Sequence, residues 1–221
     1  MEDTKIRFKF NKINEYKYLS HLETVRLIIM AVRRANINVK YSEGFNPNPK
    51  INFSFPVPVG LASMAEYSDI DILGKMDAAD FKKAINMQLK DQMHVSDAKN
   101  IFIKVPSLMG DITFCSYVFT INTPKKDLAE QIKNDIMGSK EFSESIHSME
   151  LVEADNGGDI VNLSLIGYTK VLTNNKIFKF NDFLIYFKYL SNNMKIVVKD
   201  YFKKEAYILR EGKLKTPLDI V

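Results

Sequence analysis

The sequence predicts an α+β protein built from two ferredoxin-like β-α-β-β-α-β modules packed together. Three observations predict it. Short stretches alternate apolar and charged residues, as in Ile6-Arg7-Phe8-Lys9-Phe10, which is the period of a half-buried strand. Between them lie segments with helical spacing and helix start signals. The order strand-helix-strand-strand-helix-strand runs through the first half and again, roughly, through the second, without a residue-level repeat; that order is the split β-α-β unit. The expected division is 1–106 and 111–221, with a linker near Pro106–Asp111.

In the first module, the strand at Ile6–Phe10 leads into a polar turn. Ser20 and Glu23 then form an S-x-x-E capping box, which satisfies orphan amides at a helix start. The helix is expected to run to about Ala35, burying Leu22, Val25, Ile29 and Val32. Arg33 and Arg34 fall in its last turn, where cations complement the helix dipole. Ile37–Tyr41 reads as a short extra strand, and Ser42–Pro49 as a loop. Strands follow at Ile51–Phe55 and Glu66–Leu73, a helix from Asp77 to about Leu89, and a strand over His94–Val105.

In the second module, Phe114–Asn122 reads as a strand and Lys125–Met137 as a helix. Ser148–Ala154 and Ile160–Tyr168 flank Asn156-Gly157-Gly158, a hairpin signal. Asn181 or Asp182 is expected to cap a helix through Leu190. Late strands are expected at Ile196–Tyr201 and Glu205–Leu209.

Composition narrows the function classes. A single cysteine, Cys115, forbids an intramolecular disulfide, and three histidines with one cysteine cannot make a Cys-rich zinc site. An iron–sulfur cluster needs several thiolates, so this chain alone holds none. Neither G-x-x-x-x-G-K-[ST], G-x-G-x-x-G nor H-E-x-x-H occurs. No cofactor, metal or catalytic group is assigned to the chain on these grounds. No apolar run approaches the ~18 residues a membrane helix needs, and MEDTKIRFKF lacks the apolar centre of a signal peptide. The expectation is a cytoplasmic protein that does not enter a membrane.

Charge is unevenly distributed. Residues 1–60 hold ten Lys/Arg against five Asp/Glu, residues 61–169 ten against seventeen, and residues 170–215 eleven against four. Basic ends that met in space would form a face attractive to nucleic acid. A solvated Lys-rich surface accounts for the same counts.

The segment from Ser20 to Glu66 stands out. In Tyr41-Ser-Glu-Gly-Phe-Asn-Pro-Asn-Pro-Lys50, Gly44 can take positive φ. Pro47 and Pro49 stiffen the chain and extend the residues before them. Such a loop presents Glu43, Asn46, Asn48 and Lys50 with little entropy left to lose on binding. Phe45 is expected as an anchor, either into the core or as a stacking platform. A plain turn between strands explains the same composition. His21 follows the Ser20 cap, near unpaired helix amides that suit an anion, with Arg26 and Arg34 on the same helix. A surface histidine beside a cap is the simpler account. His94 and His147 have no motif around them.

Y-L-S-H-L-E-T-V-R from Tyr18, R-R-A from Arg33, Y-S-E-G-F-N-P-N-P-K from Tyr41, P-V-G from Pro58 and E-Y at Glu66-Tyr67 resemble the radical SAM-linked family of unknown function. Its members occur as the C-terminal part of cobalamin-binding radical SAM proteins or as separate chains encoded beside them. The resemblance covers roughly residues 5–73. It implies an accessory protein: a radical SAM partner would hold the cluster, and this chain would bind substrate or partner. By analogy with ferredoxin-like modules, and from the basic ends and aromatic residues, RNA or another phosphate-bearing molecule is the expected substrate. Two positions depart from the family: Glu23 stands where Asp is usual, and Asn48 where His is usual in the G-F-N-P-H-P loop. Asn48 can hydrogen-bond but cannot relay a proton at neutral pH. The departure moves the loop from acid–base chemistry toward recognition. The binding set expected is therefore His21, Arg26, Arg34, Glu43, Phe45, Asn46, Asn48, Lys50 and Glu66. The alternative is a stand-alone enzyme using His21 and nearby carboxylates.

Overall fold

A computed structural model describes residues 3–123, 126–153, 160–169 and 178–221. It is a mixed α/β protein. Contacts divide it into two compact units: Met1–Ile112 with Ala206–Val221, and Thr113–Glu205. The C-terminal sixteen residues thus belong with the first unit.

In chain order the elements are β1 (Thr4–Lys12), a 3₁₀ turn (Asn14–Tyr18), α1 (His21–Arg34), β2 (Ile51–Phe53), β3 (Ala62–Ile72), α2 (Ala78–Asn86), β4 (Val95–Asn100), α3 (Leu108–Asp111), β5 (Phe114–Asn122), α4 (Lys126–Gly138), β6 (Ile146–Glu153), β7 (Ile160–Tyr168), α5 (Phe180–Asn193), β8 (Val197–Arg210), β9 (Lys213–Lys215) and a second 3₁₀ turn (Pro217–Ile220).

In the first unit, β1 pairs antiparallel with β3 on one side and β4 on the other, and β2 pairs antiparallel with β3. The strand order is therefore β4-β1-β3-β2, with α1 joining β1 to β2 and α2 joining β3 to β4. Ile6, Phe8, Phe10 and Ile70 on the strands pack with Ile28, Ala31 and Val32 of α1 and with Phe81 and Ile85 of α2. Across β1 and β3, Phe8 faces Ser68 and Phe10 faces Glu66, so Glu66 shares a face with that core. On the other face Arg7, fully buried, grips Asp69 through Nε and Nη2 at 2.7 and 2.9 Å. Its Nη1 donates to the Pro217 carbonyl at 3.1 Å, and the Lys99 ammonium donates to the Leu218 carbonyl at 2.9 Å. Pro217 and Leu218 are themselves buried.

The buried stripe of α1 differs from expectation. It is Thr24, Ile28, Ala31 and Val32, and Leu22 is 65% exposed. Residues 27–32 read Leu-Ile-Ile-Met-Ala-Val. Apolar side chains so cover most of the circumference that periodicity alone cannot choose the inward meridian; the position of the strands does. Ile37–Tyr41 forms no strand of its own but makes isolated bridges, Val39 to Ile72 and Tyr41 to Pro49.

In the second unit, β5 pairs antiparallel with β7, and β7 with β6. Phe119 of β5 stacks on Phe180 and packs at a tilt against Phe183 and Phe187 of α5. Burial of Phe180 pulls it into the first turn, so α5 starts at Phe180 after Lys179, without a side-chain cap, and Asn181 and Asp182 fall inside it. Asn156-Gly157-Gly158 lies outside the described residues. The two expected late strands are one strand, β8, which contributes Val197–Glu205 to this unit and Ala206–Arg210 to the first.

Candidate functional site

The capping box forms as its spelling requires. Glu23 N–H donates to Ser20 Oγ, and Glu23 Oε2 accepts from both Ser20 N–H and Ser20 Oγ at 2.7 Å. The Ser20 hydroxyl and amide hold the Glu23 carboxyl below the usual carboxylate range. Glu23 thus takes the place at the helix start that an external anion would need. His21 follows, exposed, with its ring edge-on to Phe53 at 5.8 Å.

Beneath this helix start sits a group that sequence reading passed over. Lys12, 3% exposed, ends β1 beside a register irregularity and donates its ammonium to the Leu19 carbonyl at 2.9 Å. Burial pulls its pKa below the ordinary lysine value; the charges of Glu66 and Glu23 oppose that pull. Glu66, also buried, accepts from Ser63 Oγ at 2.7 Å. One sequence signal pointed to Lys12: it continues the phase of Ile6, Phe8 and Phe10, placing a lysine on the strand's apolar side.

The expected binding residues do not meet in one pocket. His21 lies by Phe53, and Glu66 near Lys12. The Tyr41–Lys50 loop hangs at the other end of the sheet. Its stem is closed by Lys50 N–H to the Lys40 carbonyl at 2.7 Å and by Asp71 N–H to the Lys50 carbonyl at 3.0 Å. Asp71 is five residues along β3 from Glu66, about 16 Å at ~3.3 Å per residue. Arg34 ends α1, thirteen residues from His21, about 20 Å at ~1.5 Å per residue. Arg26, Arg34, Glu43, Phe45, Asn46 and Asn48 are exposed.

The loop is internally tied. Ser42 N–H donates to the Asn48 carbonyl at 2.8 Å, Asn48 N–H to Ser42 Oγ at 2.9 Å, and Asn48 Nδ2 to the Asn46 carbonyl at 3.1 Å. Gly44 has φ +119°, a backbone that side chains resist. Phe45 is not in the core: its exposure is 106%. More apolar surface is open beside the helix start, at Tyr18, Leu22 and Val59, with the Lys17 ammonium 5.3 Å above the Tyr18 ring. Gly60 N–H donates to the Lys17 carbonyl at 2.9 Å, which holds Pro58-Val-Gly60 against this turn.

A cleft of about 700 Å³ opens elsewhere in this unit, at the start of β1, lined by Thr4, Lys5, Asp80, Asn100 and Phe102 among others. Much of its polar lining is already paired: Asp3 with Lys40, Thr4 with Gly74, and Asn100 with the Ala78 amide. Among the described residues no group of three or more His, Cys, Asp or Glu could hold a metal ion, and no helix is long and apolar enough to cross a membrane.

A family model described as an uncharacterized protein conserved in bacteria matches residues 5–152. No curated protein matches the chain. Solved structures similar to it include an unknown protein from Galdieria sulphuraria, at TM-score 0.28 and 8% identity, covering 91% of this chain and 99% of that one. A protein described as a glycine cleavage system transcriptional repressor follows at TM-score 0.27 and 8% identity, covering 91% and 98%. A protein described as a monooxygenase from Lactobacillus acidophilus has TM-score 0.25 and 13% identity, covering 96% of each chain.

Proposed function

This chain belongs to a family of uncharacterized proteins conserved in bacteria (DUF2344), and from that premise we propose that it is a recognition protein, not a catalyst, working beside a radical SAM enzyme and binding RNA. The observation that carries the reading is Phe45, wholly exposed on a loop whose stem and turn are hydrogen-bonded in place. A large ring held in water on a stiff support loses little entropy when a partner covers it, and an exposed aromatic is a stacking surface for an unpaired base. Tyr18, with Lys17 above its ring, offers a second such surface. Of the carboxylates an acid–base mechanism would draw on, Glu43, Glu66 and Asp69, the last two are engaged by Ser63 and Arg7.

The reading takes each unit as a ferredoxin-like module. The order β4-β1-β3-β2 in the first unit supports it. In that unit the sheet face opposite the helices carries the Arg7–Asp69 pair under Pro217 and Leu218, so RNA meets the loop and helix start instead of the sheet.

The test is binding of the full chain to single-stranded RNA across a salt series, with Phe45→Ala alongside. Expected is affinity that falls with salt. Phe45→Ala loses ~1–3 kcal/mol of it while melting as wild type. Absence of binding at low salt rejects the RNA reading. Failure to co-purify with a radical SAM protein from native extract rejects the partnership.

A further inference from the structure

We infer that Lys12 is a positioning residue for this surface: its buried ammonium fixes the entry of α1, and with it the directions of Tyr18, His21 and Leu22. The purpose assigned to it rests on the recognition reading above; the geometry does not.

Lysine is almost never fully buried unless paired, because desolvating an ammonium is costly. Lys12 is 3% exposed and spends a hydrogen bond on the carbonyl of Leu19. Leu19 is the hinge of the connection. It closes the 3₁₀ turn through its N–H to the Tyr16 carbonyl, and it directly precedes the Ser20 cap. Two carboxylates lie in the field of the same ammonium: Glu23, which completes the capping box, and Glu66 of β3. One charge on β1 therefore engages the connection, the first turn of the helix and a neighbouring strand. The side chains it orients are exposed; Tyr18 is touched by the Lys17 ammonium and His21 by the edge of Phe53.

Lys12→Met removes one member of a buried charge pair and leaves Glu66 buried without it, so a general loss of stability is expected in either case. The two roles are separated by where the loss falls. A general loss speeds exchange at Phe8 and Ile70 as much as at Ser20 and Glu23; a positioning loss speeds it at Ser20 and Glu23 beyond theirs. The experiment is NMR amide exchange on full-length wild type and Lys12→Met. Expected is exchange at the Ser20 and Glu23 amides faster by about tenfold or more, from loss of one charged hydrogen bond. The contact between the His21 and Phe53 rings weakens, while exchange at the Phe8 and Ile70 amides rises less than at Ser20 and Glu23. Unchanged exchange at Ser20 and Glu23 with an intact His21–Phe53 contact overturns the inference.

Should Lys12→Met fail to fold, the ammonium protons of Lys12 in wild type decide the matter. Slow exchange with water supports the inference; exchange as fast as that of surface lysines overturns it. RNA binding by wild type is a separate readout. Its absence defeats the recognition reading and leaves the exchange result standing.

Discussion

Asp69→Ala is expected to be the most damaging single change in the first unit. Arg7 has no solvent exposure, and the Asp69 side chain only 3%. Their two hydrogen bonds, 2.7 and 2.9 Å, are charge-assisted and bidentate. Removing the carboxylate leaves the guanidinium buried, with the Pro217 carbonyl still accepting from Nη1. Breaking a buried pair from one side costs ~3–5 kcal/mol. For a chain of this size that is a loss of about 6–20 °C in melting temperature. The same principle sets the control: Arg7→Met combined with Asp69→Ala removes the stranded charge and should recover more than half of the loss. A second control is the half-buried pair Lys5–Asp71, 3.8 Å apart, where Asp71→Asn is expected to cost about 1 kcal/mol or less. The assay is urea unfolding followed by amide exchange at Phe8 and Ile70. A loss below about 1 kcal/mol for Asp69→Ala, or a double variant no more stable than the single, would refute this reasoning.

Two further outcomes follow from the caps. Ser20→Ala removes the N-cap acceptor of α1 and is expected to cost ~1 kcal/mol, read as a lower urea midpoint with faster exchange in the first helical turn. Asp219 closes the C-terminal turn. The Thr216 hydroxyl, then its amide, with Lys99 and Lys215 nearby, hold its carboxyl below the usual range. A carboxyl whose folded pKa lies below its unfolded one stabilises the fold above the unfolded value, and that contribution is lost as pH falls through the folded value. Acid unfolding of Asp219→Asn should therefore begin from lower stability at neutral pH and fall less steeply below the ordinary carboxylate range. Parallel acid limbs for variant and wild type would show the cap to be inert.

The sequence by itself determined the features whose cause lies within a few residues. Ser20 and Glu23 form their capping box because both partners sit on one turn. Phe114–Asn122 and Ile160–Tyr168 are strands with the expected bounds, since alternation of side chains is local. The turn of the Asn46-Pro-Asn-Pro loop follows from proline geometry and closes on bonds between near neighbours, Ser42 with Asn48 and Asn48 with Asn46. Tertiary structure decided whatever depends on a distant surface. Which meridian of α1 is buried was set by where β1 and β3 lie, because apolar residues ring that helix. Phe45 could equally have been a core anchor, and only the position of the loop beyond the sheet left it in water. The phase of β1 puts Lys12 on the strand's apolar side, but only the fold shows what it meets there, the Leu19 carbonyl and the charges of Glu23 and Glu66. Propensity and capping are short-range, and they name elements. The cost of burying a charge is settled by every group that comes near it, and that arrangement exists only once the chain has folded.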